Sequence, residues 1–203
     1  MQIEYFADED FFGGAYFSIV IQPYQAPVDS TVTVAALTNG AIPTEFEETY
    51  TSGDNVAFSI VPNDGYVLAS IVDENNDELY IDVSVDDESA ANYTYSASFT
   101  MPNEDVVLKA VFGHRVLKGS HENGRILDNN KQSGFGYAEG EEVTLVLKGD
   151  SGYVPTSASI EGHPEINVDV IEVKGLFGSS YQAKFTMPDF EVTVNAVFTA
   201  AEA

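Results

Sequence analysis

The stretch Ala97-Ser98-Phe99-Thr100-Met101-Pro102, followed by Val106, Leu108, Ala110 and Phe112, returns 86 residues later. There it reads Ala183-Lys184-Phe185-Thr186-Met187-Pro188, followed by Val192, Val194, Ala196 and Phe198. Tyr95, Ala97, Phe99 and Met101 alternate with Thr or Ser, and Tyr181, Ala183, Phe185 and Met187 repeat the face. This is the period-two pattern of a strand with one buried side. A proline then ends each run, because it has no N–H to give to a ladder. One β module, used twice, accounts for most of the chain.

The repeat extends outward from these strands. Val56, Phe58 and Ile60 are answered by Val143, Leu145 and Leu147. The turns Asn63-Asp64-Gly65 and Asp150-Ser151-Gly152 follow, each with a Tyr behind it (Tyr66, Tyr153). Leu79, Ile81, Val83 and Val85 alternate as a further strand, matched by Ile166, Val168 and Val170. Val32 and Val34 precede Asn39-Gly40, and Val116 precedes Asn123-Gly124; an Asn-Gly pair predicts a hairpin. No stretch carries a helical period. The expected fold is all-β: two tandem small antiparallel β-sandwich modules, Ig-like, with a β-grasp-like sheet as the alternative and an N-terminal β extension. The boundaries are residues 1–28 for the extension, 29–113 for the first module and 114–203 for the second. Phe99, Phe112, Phe185 and Phe198 are the expected core, and the short junction at Gly113-His114 leaves the modules little freedom.

Composition narrows the function. The 203 residues include no cysteine, which removes disulfides, thiolate metal sites and cysteine nucleophiles together. Acidic residues number 33 against 8 basic, a net charge of −25. The imbalance is concentrated: residues 1–113 hold 20 acidic side chains and the single basic Lys109. Phosphate backbones and anionic membranes both demand Lys/Arg clusters, so neither nucleic acid nor a membrane is an expected partner. No run approaches the roughly 20 apolar residues of a spanning helix, and the first residues lack the positive charge of a secretory signal. The chain is therefore expected to be either cytosolic or, in better accord with the rest of the sequence, an excised piece of a mature protein.

The layout Gly-x-x-Val, a Gly-Tyr turn, Phe-Thr-Met-Pro and a closing Val-x-(Leu/Val)-x-Ala-Val-Phe resembles the divergent internalin-type B-repeat modules of bacterial surface proteins. Gly53, Val56, Gly65, Tyr66, Phe99 to Pro102 and Val106 to Phe112 carry the resemblance in the first copy. Gly140, Val143, Gly152, Tyr153, Phe185 to Pro188 and Val192 to Phe198 carry it in the second. It implies an extracellular, cell-surface β module serving as a spacer or ligand-binding unit, and it brings no catalytic residues and no cofactor.

Chemistry beyond folding is sparse. With 33 carboxylates, acid pairs at any chosen spacing occur by chance and nominate no catalytic acid and base. His114, His121 and His163 lack metal-ligand spacing, and His114 and His121 are expected to be solvated near the junction. No phosphate loop or nucleophile elbow is present, so an enzyme is not expected. Asp73-Glu74-Asn75-Asn76-Asp77-Glu78 gathers oxygen donors without the spacing of an EF-hand, and reads as a solvated hairpin tip or a weak calcium site.

The copies differ where ligands are usually met. Asp86-Asp87-Glu88-Ser89-Ala90-Ala91-Asn92 in the first faces Lys174-Gly175-Leu176-Phe177-Gly178 in the second, one loop anionic and the other apolar. The extension adds Tyr5, Phe6, Phe11, Phe12, Tyr16, Phe17 and Tyr24. Either Gln2–Phe6 and Ala15–Gln22 pair across Gly13-Gly14 and close the first core, or these aromatics form a protein-binding patch. The candidate ligand-binding residues are thus Tyr5, Phe6, Phe11, Phe12, Tyr16, Phe17, Leu176 and Phe177. The expected function is adhesin-like binding of an extracellular protein, such as a host immunoglobulin or matrix protein. A structural stalk and a carbohydrate-binding accessory module are the alternatives.

Overall fold

The computed structural model describes residues 2–9, 15–22, 29–87, 93–175 and 178–201, those before residue 29 by backbone pairing alone. Strands β1 (Gln2–Glu9) and β2 (Ala15–Gln22) pair antiparallel with each other, from Gln2 opposite Gln22 to Glu9 opposite Ala15. The Gly13-Gly14 turn, Tyr24 and the packing of the extension on the first core lie outside the described residues.

The first repeat comprises β3 (Asp29–Ser30), β4 (Val32–Val34), β5 (Gly40–Ala41), β6 (Tyr50–Thr51), β7 (Asn55–Pro62), β8 (Val67–Asp73), β9 (Asp82–Asp87), β10 (Thr94–Thr100) and β11 (Val106–Gly113). Its sheets run β5-β7-β10-β9 and β4-β11-β8. The second comprises β12 (Val116–Lys118), β13 (Gly124–Leu127), β14 (Glu142–Gly149), β15 (Tyr153–Ile160), β16 (Asp169–Gly175), β17 (Gly178–Thr186) and β18 (Val192–Ala200). Its sheets run β13-β14-β17-β16 and β12-β18-β15, the same order strand for strand. The chain is all-β, and each repeat is a small two-sheet sandwich.

Alternation along the strands decides what is buried. Val56, Phe58 and Ile60 face inward from β7, and Val143, Leu145 and Leu147 do so from β14. Phe99, Phe112, Phe185 and Phe198 are all buried, as their shared faces require. There are two cores. One gathers Val32 to Phe112 and the other Ile126 to Phe198.

The Asn-Gly turns differ from the hairpins expected of them. Asn39 and Asn123 do adopt left-handed backbones, with φ of 66° and 61°. However, β4 pairs parallel with β11, whereas β5 pairs antiparallel with β7 in the other sheet. Asn39-Gly40 therefore carries the chain across the sandwich, and Asn123-Gly124 repeats the crossing between β12 and β13. The region of Leu79 and Ile81 also differs: the strand begins at Asp82, with those two side chains half-buried before it.

Candidate functional site

Of the residues nominated from sequence, Phe11, Phe12, Leu176 and Phe177 lie outside the described residues, as does most of the acidic loop that corresponds to the latter pair in the first repeat. Tyr5 and Phe6 fall on β1, and Tyr16 and Phe17 on β2. Register places Tyr5 opposite Ile19 and Phe17 opposite Ala7, but Phe6 opposite Ser18 and Tyr16 opposite Asp8. Tyr5 and Phe17 thus occupy one set of alternate positions and Phe6 and Tyr16 the other.

The acidic tip also differs from expectation. Asp73 is buried, and its Oδ1 accepts the Asn75 N–H at 3.1 Å and the Val107 N–H at 2.8 Å. Asn76 Nδ2 donates to Glu104, and Asn76 Oδ1 accepts the Glu78 N–H. Two of the six proposed donor side chains, Asp73 and Asn76, are thus committed to the fold and a third, Glu74, pairs with Lys109, and no cluster able to hold a metal occurs among the described residues.

The most developed non-repeated arrangement lies where the two sandwiches meet. Asp128 Oδ1 accepts the backbone N–H groups of Asn130 and Lys131 and the Tyr137 hydroxyl at 2.8 Å, bending the segment between β13 and β14. That segment, Ser133-Gly134-Phe135-Gly136, reaches over the end of the first sandwich. Tyr95 Oη accepts the Leu68 N–H at 3.1 Å and donates to the Gly134 carbonyl at 2.6 Å. Phe135 packs on Tyr95 at 5.4 Å between ring centroids and joins the first core, although it belongs to the second repeat. The Gly136 N–H donates to the Leu68 carbonyl at 3.0 Å, and Lys131 Nζ donates to the Ala69 carbonyl at 3.1 Å.

Two glycines make this approach feasible. Gly134 has φ of 86°, and a Cβ there would sit 2.7 Å from Val85. A Cβ on Gly136 would lie 2.5 Å from the His114 carbonyl oxygen, a backbone atom with no room to give. Glycine at both positions is what lets the segment lie this close.

His114 closes the opposite side. It is buried rather than solvated, contrary to the sequence expectation, because its backbone pairs with Tyr137 in both directions at 3.0 Å. Its ring lies 4.4 Å from Tyr66, with Nδ1 3.0 Å from the Gly65 carbonyl and Nε2 3.3 Å from Asp189. Arg115 spans the two repeats, donating to the Tyr93 hydroxyl at 3.1 Å and to Glu191 at 2.7 Å. Tyr93, Arg115, Lys118, Lys131 and Phe135 line a groove of about 400 Å³ along the joint. It gathers three of the chain's eight basic residues, but Arg115 and Lys131 are already paired with Glu191 and Glu141.

Burial sets the electrostatics. It pushes the Tyr95 phenol up to about 12, against an ordinary value of 10.0. Burial, helped by the Asp128 hydrogen bond and charge, raises Tyr137 further still. Both hydroxyls stay neutral donors at any physiological pH. The arrangement ties the second sandwich to the first through backbone and side-chain contacts.

Sequence alone did not single out this segment, although a signal was there. Aligned on Tyr50 and Tyr137, Gly134-Phe135 falls opposite Glu47-Glu48 of the first repeat, an inter-strand stretch that exchanges two acids for a glycine and an aromatic.

Against known proteins, the family model of the divergent InlB B-repeat domain matches residues 30–115, which is the first sandwich and its junction residues. No curated protein and no solved structure gives a significant match.

Proposed function

We propose, from the premise that residues 30–115 are a divergent InlB B-repeat domain, that the chain is a rigid, non-catalytic projecting segment of a bacterial surface protein. The family is typical of bacterial surface and extracellular proteins. The observation carrying the proposal is the joint. Modules linked by a short connection move relative to each other by default unless their interface is large and apolar. Here the link is reinforced by Phe135 inside the first core, by the Tyr95 and Leu68 hydrogen bonds and by the Arg115 bridge. A spacer needs such stiffness to hold whatever it carries away from the cell wall.

Residual dipolar couplings of the full chain provide the test. One alignment tensor should fit both sandwiches of the wild-type protein, and Phe135→Ala should require two. Independent tensors in the wild type would overturn the proposal. Adhesin-like binding of an extracellular protein is the second reading, favoured by the aromatic extension and by the 20 acidic residues set against one basic residue in residues 1–113.

A further inference from the structure

The joint has two parts, a loop on the second repeat and a receiving surface on the first, and the second repeat carries its own version of the receiving surface. By register, Tyr66, Val67, Leu68, Tyr93 and Tyr95 correspond to Tyr153, Val154, Pro155, Ser179 and Tyr181. In the first repeat Tyr95 and Val67 are fully buried beneath the Gly134–Gly136 loop. In the second, Tyr181 and Val154 are half-buried and Tyr153 is 37 % exposed. The five residues line an open, mainly apolar groove of about 460 Å³ between the sheets. Among the described residues, the same surface is thus covered at one end of the pair and uncovered at the other.

We infer that this groove is the receiving half of a second joint, and that its occupant is the glycine-aromatic-glycine loop of a following module of the same kind. Three observations fix that occupant. The filled copy shows what such a surface accepts: a backbone carbonyl for the Tyr hydroxyl and an aromatic ring for its face. Strand β18 ends at Ala200, paired with Tyr153, where the first repeat passes through Gly113 and His114 into the next module. The polarity is also one-way. The first repeat has Glu47-Glu48 where the second has Gly134-Phe135, so it offers no equivalent loop to anything before it. Modules can be added at the β18 end in the same geometry, each one burying the Tyr of the one before.

Pro155 replaces Leu68, which removes the N–H given to Tyr95, and Ser179 replaces Tyr93. The Tyr181 hydroxyl is therefore free to donate while accepting no backbone bond from β15, and the rim is less apolar than in the filled copy.

The inference deepens the spacer proposal and rests on it. Its test is a three-module chain made by joining a second copy of residues 114–203 directly after Thr199, the position equivalent to Gly113, with Tyr153→Phe and Tyr181→Phe in the appended copy so that only the inner groove is read. Hydroxyl-radical footprinting then reads Tyr153 and Tyr181. Their labelling should fall about tenfold relative to the 203-residue chain, as expected for a surface opened only by local undocking. It should be restored when the appended copy carries Phe135→Ala, with Gly136→Ala as a second variant. The appended copy's folding is checked by circular dichroism. Unchanged labelling, or protection that survives both substitutions, overturns the inference. So does concentration-dependent dimerisation of the unextended chain with the same protection, which would assign the groove to a second copy. Loss of the single alignment tensor in the original chain would instead bring down the spacer proposal, so the two failures are distinguishable.

Discussion

Tyr95 is the residue on which the joint turns, since its hydroxyl accepts from Leu68 within its own sandwich and donates to Gly134 of the next. Removing that oxygen leaves the buried Leu68 N–H without a partner, an orphan that costs about 1–3 kcal/mol, and frees the half-buried Gly134 carbonyl. The equivalent Tyr181 makes no such bridge. Ionisation tests the same contact without mutation. An unfolded tyrosine loses its proton near pH 10, whereas folded Tyr95 holds it to about 12. Ionisation therefore favours the unfolded chain across that interval. The stabilisation is complete below the unfolded value and is lost as pH rises through the folded one, at about 1.4 kcal/mol per pKa unit. Alkaline unfolding followed by circular dichroism should show a loss over this window that is smaller by roughly 2–3 kcal/mol in Tyr95→Phe, the remainder coming from Tyr137, which burial also raises. A Tyr95→Phe profile identical to wild type would mean that other tyrosines govern it.

At the scale of strands, what the repeat encodes most firmly is how closely β5 and β13 press on the closing strands. A Cβ on Gly40 would stand 2.4 Å from the Phe112 ring, and one on Gly124 would stand 2.5 Å from the Phe198 ring. Each glycine makes room for a buried phenylalanine. Gly124→Ala is expected to cost about 1–3 kcal/mol by overpacking, and Phe198→Ala about 3–5 kcal/mol by loss of burial and the cavity left behind. Because the two act on one space, the double variant should lose clearly less than the sum. Strict additivity in denaturant melts would show that the residues do not share it. This level of organisation was largely legible in the sequence: period two and a fixed offset placed the strands and all four phenylalanines. Asn39-Gly40 was legible as a left-handed turn but not as a crossing, since the dipeptide fixes local backbone and not the sheet that the next strand joins. Ser133 to Gly136 drew no reading from the sequence. Its partners, Leu68 and Tyr95, are brought to it only by the docking of one sandwich on another.

Over the whole chain, the two ends are unlike. The β18 end presents an apolar groove, while the other end carries the β1–β2 hairpin ahead of the half in which 20 acidic residues face one basic residue. A stalk needs only the first of these; the second is what the binding reading must explain. Field complementarity governs encounter more than final affinity, so a partner recognised at this end should be basic and its association should slow as salt is raised. The hairpin register separates two roles within the aromatics. Tyr5 and Phe17 share their alternate positions with Ile3, Ile19 and Ile21, a composition suited to packing on the protein itself, whereas Phe6 and Tyr16 share theirs with Glu4, Asp8, Ser18 and Val20, a composition suited to a rimmed contact patch. Surface plasmon resonance of the full chain against immobilised immunoglobulin and matrix proteins tests this directly. Where a protein is captured, the paired substitution Phe6→Ala and Tyr16→Ala should speed dissociation at unchanged melting temperature, because truncating interface aromatics acts mainly on the off-rate. Tyr5→Ala with Phe17→Ala should lower the melting temperature instead. Capture that is indifferent to salt and survives loss of Phe6 and Tyr16 would remove the extension from any contact surface, leaving the chain a spacer alone.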